Sequence, residues 1–149
     1  MYKHILLPTD GSKLSGKAIK QGIQLAKSLR AKVTAIHAVP AYQQLIMDEG
    51  LMAPTAAGIQ KRFYEDSLKR SNLLLNKIKS EAKAAGVKCE GVTVTSSVPY
   101  DAIVKQAKKS KCDLIMMASH GRKGLSSILL GSETSKVLTH STVPVLVVR

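Results

Sequence analysis

Aromatic residues are nearly missing from this chain: among 149 residues there is no tryptophan and one phenylalanine. Proteins that read RNA or single-stranded DNA stack bases on aromatic side chains. The shortage argues against a nucleic-acid reader, despite a net charge of +13. Cysteine is scarce too. Cys89 and Cys112 lie far apart and form no C-x-x-C pair, so neither a disulfide framework nor a cysteine metal site is expected. Both read as small hydrophobes beside strands. No apolar run approaches the ~20 residues that span a bilayer. The run Ile5-Leu6-Leu7 is too short for a secretory leader, and no small-residue cleavage pattern follows it. It reads as a first strand, and the expectations are a cytoplasmic location and no membrane attachment.

Hydrophobic residues make up 44% of the chain, enough for a real core. No repeat or linker divides it, so residues 1–149 are expected to form one domain. Lysines are spread out. Lys105, Lys108, Lys109 and Lys111 fall on one expected helix, and Lys77, Lys79 and Lys83 on another. Such sets read first as solvated helix faces. The overall charge still suits an anionic partner such as a nucleotide.

The hydrophobic pattern alternates between two periods. Lys3–Leu7 is a short apolar run closed by Pro8, after which Asp10-Gly11-Ser12 carries turn and N-cap chemistry. Ile19, Gly22, Ile23, Ala26 and Leu29 follow at helical spacing, and Lys32–Val39 is β-branched and apolar, ending at Pro40. From Pro40 to about Gly58 the chain carries prolines, glycines and the apolar set Leu45, Ile46, Met47, Leu51 and Met52. This stretch reads either as a functional loop or as a partly helical extension of the next helix. Leu74, Ile78, Ala82 and Ala85 make one stripe, with Gly86 as the stop. Lys88–Ser96 alternates as a third strand. A short helix with Ala102, Ile103 and Ala107 starts near Pro99. Leu114–Ala118 is a continuous apolar run, as a buried parallel strand should be. Val137 and Leu138 lie on a final helix, and Val143–Val148 is the last strand. The order β-α-β-α-β-α-β-α-β predicts an α/β fold, with a five-stranded parallel sheet and helices on both faces. Ligands of such sheets bind beyond the carboxyl ends of the strands, at the switch point. That directs attention to Pro8–Ser12, His37–Pro40 and Ala118–Ser132.

The richest of these runs from Ala118-Ser119-His120-Gly121-Arg122-Lys123-Gly124 to Gly131-Ser132-Glu133-Thr134. A strand ends, a glycine loop follows, and a helix begins near Ser132. Loop N–H groups and a helix amino end can hold an anion, with Arg122 and Lys123 adding positive charge. Ser132 would then give its hydroxyl to a phosphate, or else cap the helix. The same residues also suit a plain glycine turn with an N-cap. A second glycine pattern, Gly11-Ser12-Lys13-Leu14-Ser15-Gly16-Lys17-Ala18, lacks the Ser or Thr that a P-loop uses to hold Mg²⁺. Its Gly16-Lys17 would also fall inside a helix, so it is set aside. No histidine pair or His–carboxylate cluster suggests a metal site, and no G-x-S-x-G elbow is present. His120 reads as a residue that shapes the loop.

These motifs, in this order, resemble the universal stress protein family over nearly the whole chain. Members that bind ATP carry G-x2-G-x9-G-[ST] before the last helix. Here Gly121, Gly131 and Ser132 match the last three positions, while the first glycine falls on Ala118. Ile5-Leu6-Leu7-Pro8-Thr9-Asp10-Gly11-Ser12 resembles the family's opening strand and P-x-D-x-S turn, and Leu129-Leu130-Gly131-Ser132 with Val143–Val148 its closing signature. The resemblance implies a three-layer, Rossmann-like fold of the adenine nucleotide alpha hydrolase type. It also implies an adenine nucleotide, ATP or AMP, with an Mg or Mn ion on its phosphates. The implied nucleotide-binding residues are Pro8, Thr9, Asp10, Ala38, Val39, Met117, Ala118, Ser119, His120, Gly121, Arg122, Gly131, Ser132, Glu133 and Thr134. Among them Asp10 would bond the ribose and Ala38 and Val39 would touch adenine. Asp10 also reads as the start of an Asx turn, and the two roles can coexist. The implied assembly is a homodimer paired through Val143–Val148.

The expected function is that of a nucleotide-binding stress-response regulator or protective factor, not an enzyme. A slow ATP hydrolase would need a base near the γ-phosphate, and Gly121–Ser132 offers no carboxylate for it. A nucleotide-free interaction module, in view of Ala118, is the other alternative.

Overall fold

Six residues, His4–Thr9, form the first strand, β1, and every one of them is buried. A strand hidden on both faces requires a layer of structure on each side. The structure of the protein, a computed structural model, describes residues 1–41, 57–120 and 130–149. After β1 come α1 (Lys13–Leu29), β2 (Lys32–Val39), α2 (Ala57–Ala84), β3 (Cys89–Thr95), α3 (Pro99–Lys109), β4 (Leu114–Ala118), α4 (Ser132–His140) and β5 (Val145–Val148). The five strands form one sheet in the order β3-β2-β1-β4-β5. All four ladders are parallel. The expected α/β fold with a five-stranded parallel sheet is the one found.

The helices divide between the faces by strand parity. Ile5 and Leu7 of β1, with Val33 and Ala35 of β2, pack with Ile19, Ile23 and Ala26 of α1 and with Leu75, Ile78 and Ala82 of α2. Leu6, Ile36, Ile115 and Met117 face the other way, against Ile103 and Ala107 of α3 and Val137 of α4. The result is three layers. Contact between α1 and β1 is close: a Cβ on Gly22 would sit 2.5 Å from Leu7 Cδ2. Glycine at that position lets the helix come down onto the central strand.

Several boundaries differ from the sequence reading. β1 runs through Pro8 to Thr9. The core stripe of α2 passes through Leu75, Ile78 and Ala82, with Leu74 only half-buried. Three consecutive leucines leave that phase open in the sequence. The stripe continues upward through Ser71 and Ser67, both buried. β3 is one residue shorter at each end than Lys88–Ser96. β5 begins at Val145, because Pro144 has no N–H for the β4 ladder. Of the Pro40–Gly58 segment, residues 42–56, with Leu45, Ile46, Met47, Leu51 and Met52, lie outside the described residues; Gly58 already belongs to α2.

At the amino ends of the strands His4 is sequestered. Its Nε2 bonds Thr34 Oγ1 at 2.8 Å, and its Nδ1 is buried without a hydrogen-bond partner among the described residues. Burial, helped by Lys32, lowers its pKa below the ordinary 6.5, against the opposing pull of the Ser110 carbonyl, Asp113 and Glu90. Nearby Asp113 is affected by burial in the upward direction. The N–H groups of His4 and Lys3, at 2.9 and 2.7 Å from its carboxylate, outweigh that and hold its pKa below the usual value.

A pH dependence follows from His4. Below about pH 6.5 the unfolded chain takes up a proton that folded His4 refuses. The unfolded state then binds more protons, so stability falls as pH drops through that window. Thermal melts of wild type should show this loss, and His4→Gln should show a shallower slope over the same window. Equal slopes would mean that His4 does not titrate differently in the folded state.

Candidate functional site

The site begins where β1 parts from β4. Lys3 C=O accepts from Lys32 N–H of the β2 side at 3.0 Å, and His4 C=O from Asp113 N–H of the β4 side at 2.9 Å. Alternate residues of β1 therefore point to opposite neighbours, with His4, Leu6 and Pro8 directed at β4. Pairing with β4 covers Ile5 and Leu6. The next residue that could donate on that side is Pro8, which has no N–H. Beyond it β1 stays with β2 through Thr9, paired to His37, while Met116–Ala118 pair with β5. A crevice opens between the carboxyl ends of β1 and β4, at the point where the strand order reverses.

One wall is the turn into α1. Asp10 Oδ1 accepts Ser12 N–H at 2.9 Å, an Asx turn, and Gly11 takes φ 77°. Ser12 is the N-cap, its hydroxyl accepting Ser15 N–H at 3.1 Å. Ser15, which the sequence reading passed over, is buried, lies 3.1 Å from Thr9 Oγ1, and donates to Ser12 C=O. Its signal was the S-x-x-S spacing of a capped first turn. The Asx role of Asp10 and the helix start at Ser12 are as expected.

The opposite wall is the end of β4 with the start of α4. Ser119 holds it together. Its N–H donates to Val148 C=O and its C=O accepts from Gly131 N–H, both at 2.7 Å. Its buried hydroxyl lies 2.9 Å from His120 Nδ1. Thr134 Oγ1 donates to Ala118 C=O at 3.0 Å. Met117 and Ala118 are themselves buried, on opposite faces of the sheet. Gly131, not Ser132, is the N-cap of α4, and among the described residues no side chain caps that end. Ser132 is exposed and is the first helical residue, so of its two expected roles the capping one is not taken. With respect to the described residues, the first-turn N–H groups of α4 are open to solvent or an anion. Glu133 turns away. Its Oε2 accepts the N–H of Tyr100 at the start of α3, at 2.9 Å, and its Oε1 meets Lys136 Nζ at 3.0 Å. Gly121 and Arg122 lie outside the described residues.

The third element is the end of β2. Val33 N–H donates to the C=O of Lys88, just before β3, and Val39 C=O accepts from the N–H of Ser96, just after it. Odd residues of β2 thus point to β3 and even ones to β1. The N–H and C=O of Ala38 therefore project toward β1, one residue past its last paired position, Thr9–His37. Ala38 is half-buried and Val39 is buried. The sequence reading also missed a polar seam beneath α2. His37 Nδ1 lies 3.0 Å from Ser71 Oγ, which lies 2.6 Å from Thr93 Oγ1. Its signal was two serines continuing the Leu75 stripe at four-residue spacing. Among the described residues, no group of three His, Cys, Asp or Glu side chains could hold a metal ion. None of the helices among the described residues is long and apolar enough to cross a membrane.

Comparison with known proteins identifies the family and agrees on the fold. The model of the universal stress protein family matches residues 1–149. A universal stress protein of Methanocaldococcus jannaschii is 36% identical over 149 residues, covering 100% of this chain and 83% of the relative. A universal stress protein solved in complex with cAMP is 27% identical, with a TM-score of 0.72 over 99% of this chain and 97% of that one. The fold is also that of a universal stress protein from Lactobacillus plantarum, at 20% identity, a TM-score of 0.83, and coverage of 99% and 98%.

Gly16 lies inside α1, and a Cβ there would meet nothing within 4 Å. The expected effect of Gly16→Ala is therefore a gain of about 0.5–1 kcal/mol in stability from helix propensity. Its Kd for any phosphate ligand should not change. Denaturant unfolding and calorimetry check both, and a loss of phosphate binding would return Gly11–Ala18 to consideration as a phosphate loop.

Proposed function

The chain belongs to the universal stress protein family, and from that premise we propose that it binds an adenine nucleotide, ATP or AMP, in the crevice between β1 and β4. It acts as a cytoplasmic stress-response regulator or protective factor, as a homodimer and not as an enzyme. The observation that carries the binding reading is the parting of β1 from β4 beside an α4 amino end that, among the described residues, no side chain caps.

Phosphates lie at that amino end, where the helix presents unfilled N–H groups and partial positive charge. Gly131 permits close approach and Ser132 gives its exposed hydroxyl. Asp10 keeps one oxygen in its turn and takes a ribose hydroxyl. Adenine lies at the end of β2, where Ala38 offers an N–H and a C=O side by side. That pair suits a ring nitrogen acceptor next to an amino donor, as in adenine, and mismatches guanine, whose corresponding edge reverses both. Within the described residues no side-chain cluster holds a metal alone, so an Mg or Mn ion would take most of its ligands from the phosphates. A general base is lacking in the proposed mode, since both oxygens of Glu133 are engaged with Tyr100 and Lys136. The relative solved with cAMP supports an adenine ligand for the fold.

Calorimetry should find ATP or AMP bound more tightly than GTP or GMP. Gly131→Val should abolish triphosphate binding with the fold retained. Ser132→Ala should cost about 1.5–3 kcal/mol, one hydrogen bond to a charged group. Equal affinity for adenine and guanine nucleotides, or normal binding by Gly131→Val, would overturn the assignment.

The proposed dimer pairs β5 with its copy across a two-fold axis. β5 is an edge strand whose Leu146 is 43% exposed. An apolar edge of this kind needs cover. Pro144 and Val148 direct their C=O groups to Ile115 and Ser119 of the β4 side. By alternation Val145 and Val147 point outward. Val147→Pro thus removes an outward N–H and leaves the β4 ladder whole, whereas Leu146→Pro would break that ladder. In sedimentation velocity, wild type should run as a dimer and folded Val147→Pro as a monomer. A monomeric wild type at high micromolar concentration would rule the assembly out.

A further inference from the structure

The amino ends of β2 and β3 carry a second feature, at the opposite end of the sheet from the nucleotide crevice. A groove of about 740 Å³ runs there between the carboxyl half of α2 and the starts of both strands. Lys32, Lys79, Lys83 and Lys88 line it, with Glu90 the one carboxylate among its lining residues. None of the four lysines is in either ion pair formed among the described residues, Lys105–Asp101 and Lys136–Glu133. The groove thus holds an excess of positive charge, four lysines against Glu90, with aliphatic stems as its walls.

Beside it runs a sheet edge. Among the described residues β3 pairs only with β2. Lys88 C=O accepts from Val33 N–H, and Ser96 N–H donates to Val39 C=O, so even residues of β3 face β2. The N–H and C=O of Cys89 and Gly91 therefore point away from the sheet. Gly91 is exposed and adds no side chain to the edge, and Lys79 lies over it, its Cδ 3.5 Å from where a Cβ would stand.

We propose that this edge and groove together bind an extended acidic peptide segment of a partner protein, added to β3 as a sixth strand. The spacing fits. Alternate side chains of a strand stand ~6.6 Å apart on one face, and Lys79 and Lys83, one helical turn apart, root their side chains ~5–6 Å apart at Cβ. A segment with Asp or Glu at every second position sets its carboxylates on these lysines, while its backbone pairs with Cys89 and Gly91. No aromatic residue lines the groove to stack a base, and lysines on both copies repel a second copy of this chain. This site is independent of the nucleotide reading.

The test is fluorescence anisotropy with a short, end-capped peptide of alternating Glu and Val. The full chain should bind it, more weakly as salt rises, and should not bind the Lys-Val counterpart. Lys79→Glu/Lys83→Glu should weaken binding about tenfold or more with an unchanged melting temperature. Amide shifts of Cys89 and Gly91 should move on titration, which loose charge attraction would not cause. Equal binding by the double variant, unmoved Cys89 and Gly91 amides, or tighter binding of a single-stranded oligonucleotide than of the peptide would each overturn the proposal.

Discussion

A parallel strand in the middle of a sheet must satisfy two neighbours in alternation, and β1 stops doing so at Pro8. Proline is tolerated in a sheet only where its missing donor has nothing to meet. In β1 that missing donor faces β4, so the two strands cannot continue together. Each goes on with its outer neighbour, β1 with β2 through Thr9 and β4 with β5 through Ala118. The crevice is thus written into one covalent ring. The helices that could cover it are kept off by the same topology, since α1 leaves β1 for one face and α4 leaves the β4 side for the other.

What surrounds the crevice is held by hydrogen bonds of low redundancy. Ser119 ties β4 to β5 and to the N-cap of α4 through its own backbone, and Thr134 returns from the first turn of α4 to Ala118. Glu133 fastens α4 to the amino end of α3, where Lys136 also stacks 5.5 Å above the Tyr100 ring. Several residues that the family pattern groups around a ligand therefore act as a frame. Among the described residues, the first-turn amides of α4 and the outward peptide of Ala38 are what that frame holds out.

How much of this was legible depends on which physical rule each feature obeys. β2 and β4 could be bounded to the residue, because β2 is a β-branched and apolar stretch stopped by Pro40 and β4 a continuous apolar run followed by turn residues. The layers and the position of the crevice followed from the alternation of strands and helices. The phase of α2 did not, since Leu73, Leu74 and Leu75 fit more than one helical face and the stripe turns polar above them. Of the two roles open to Ser132, capping is not taken: a serine beside a glycine looks like a cap, yet Gly131 takes that conformation and leaves Ser132 as the first residue of the helix. Which backbone groups point outward at Ala38, Gly91 and Val147 lies beyond any sequence pattern. It depends on ladder register, which only neighbouring strands define.

The polar seam beneath α2 has a consequence for how that helix finds its place. Ser67 and Ser71 are one turn apart, and both are buried. If α2 slid by one turn, about 5.4 Å, the hydroxyl of Ser67 would arrive where that of Ser71 now meets His37 and Thr93. The polar contacts would survive the slip, so they do not discriminate between the two seatings. Discrimination falls to the lower half of the stripe, where the same slip would bring Ser71 to the position of Leu75 and empty an apolar hole. The helix is indexed by its leucine and isoleucine teeth, and its serines are a smooth bearing.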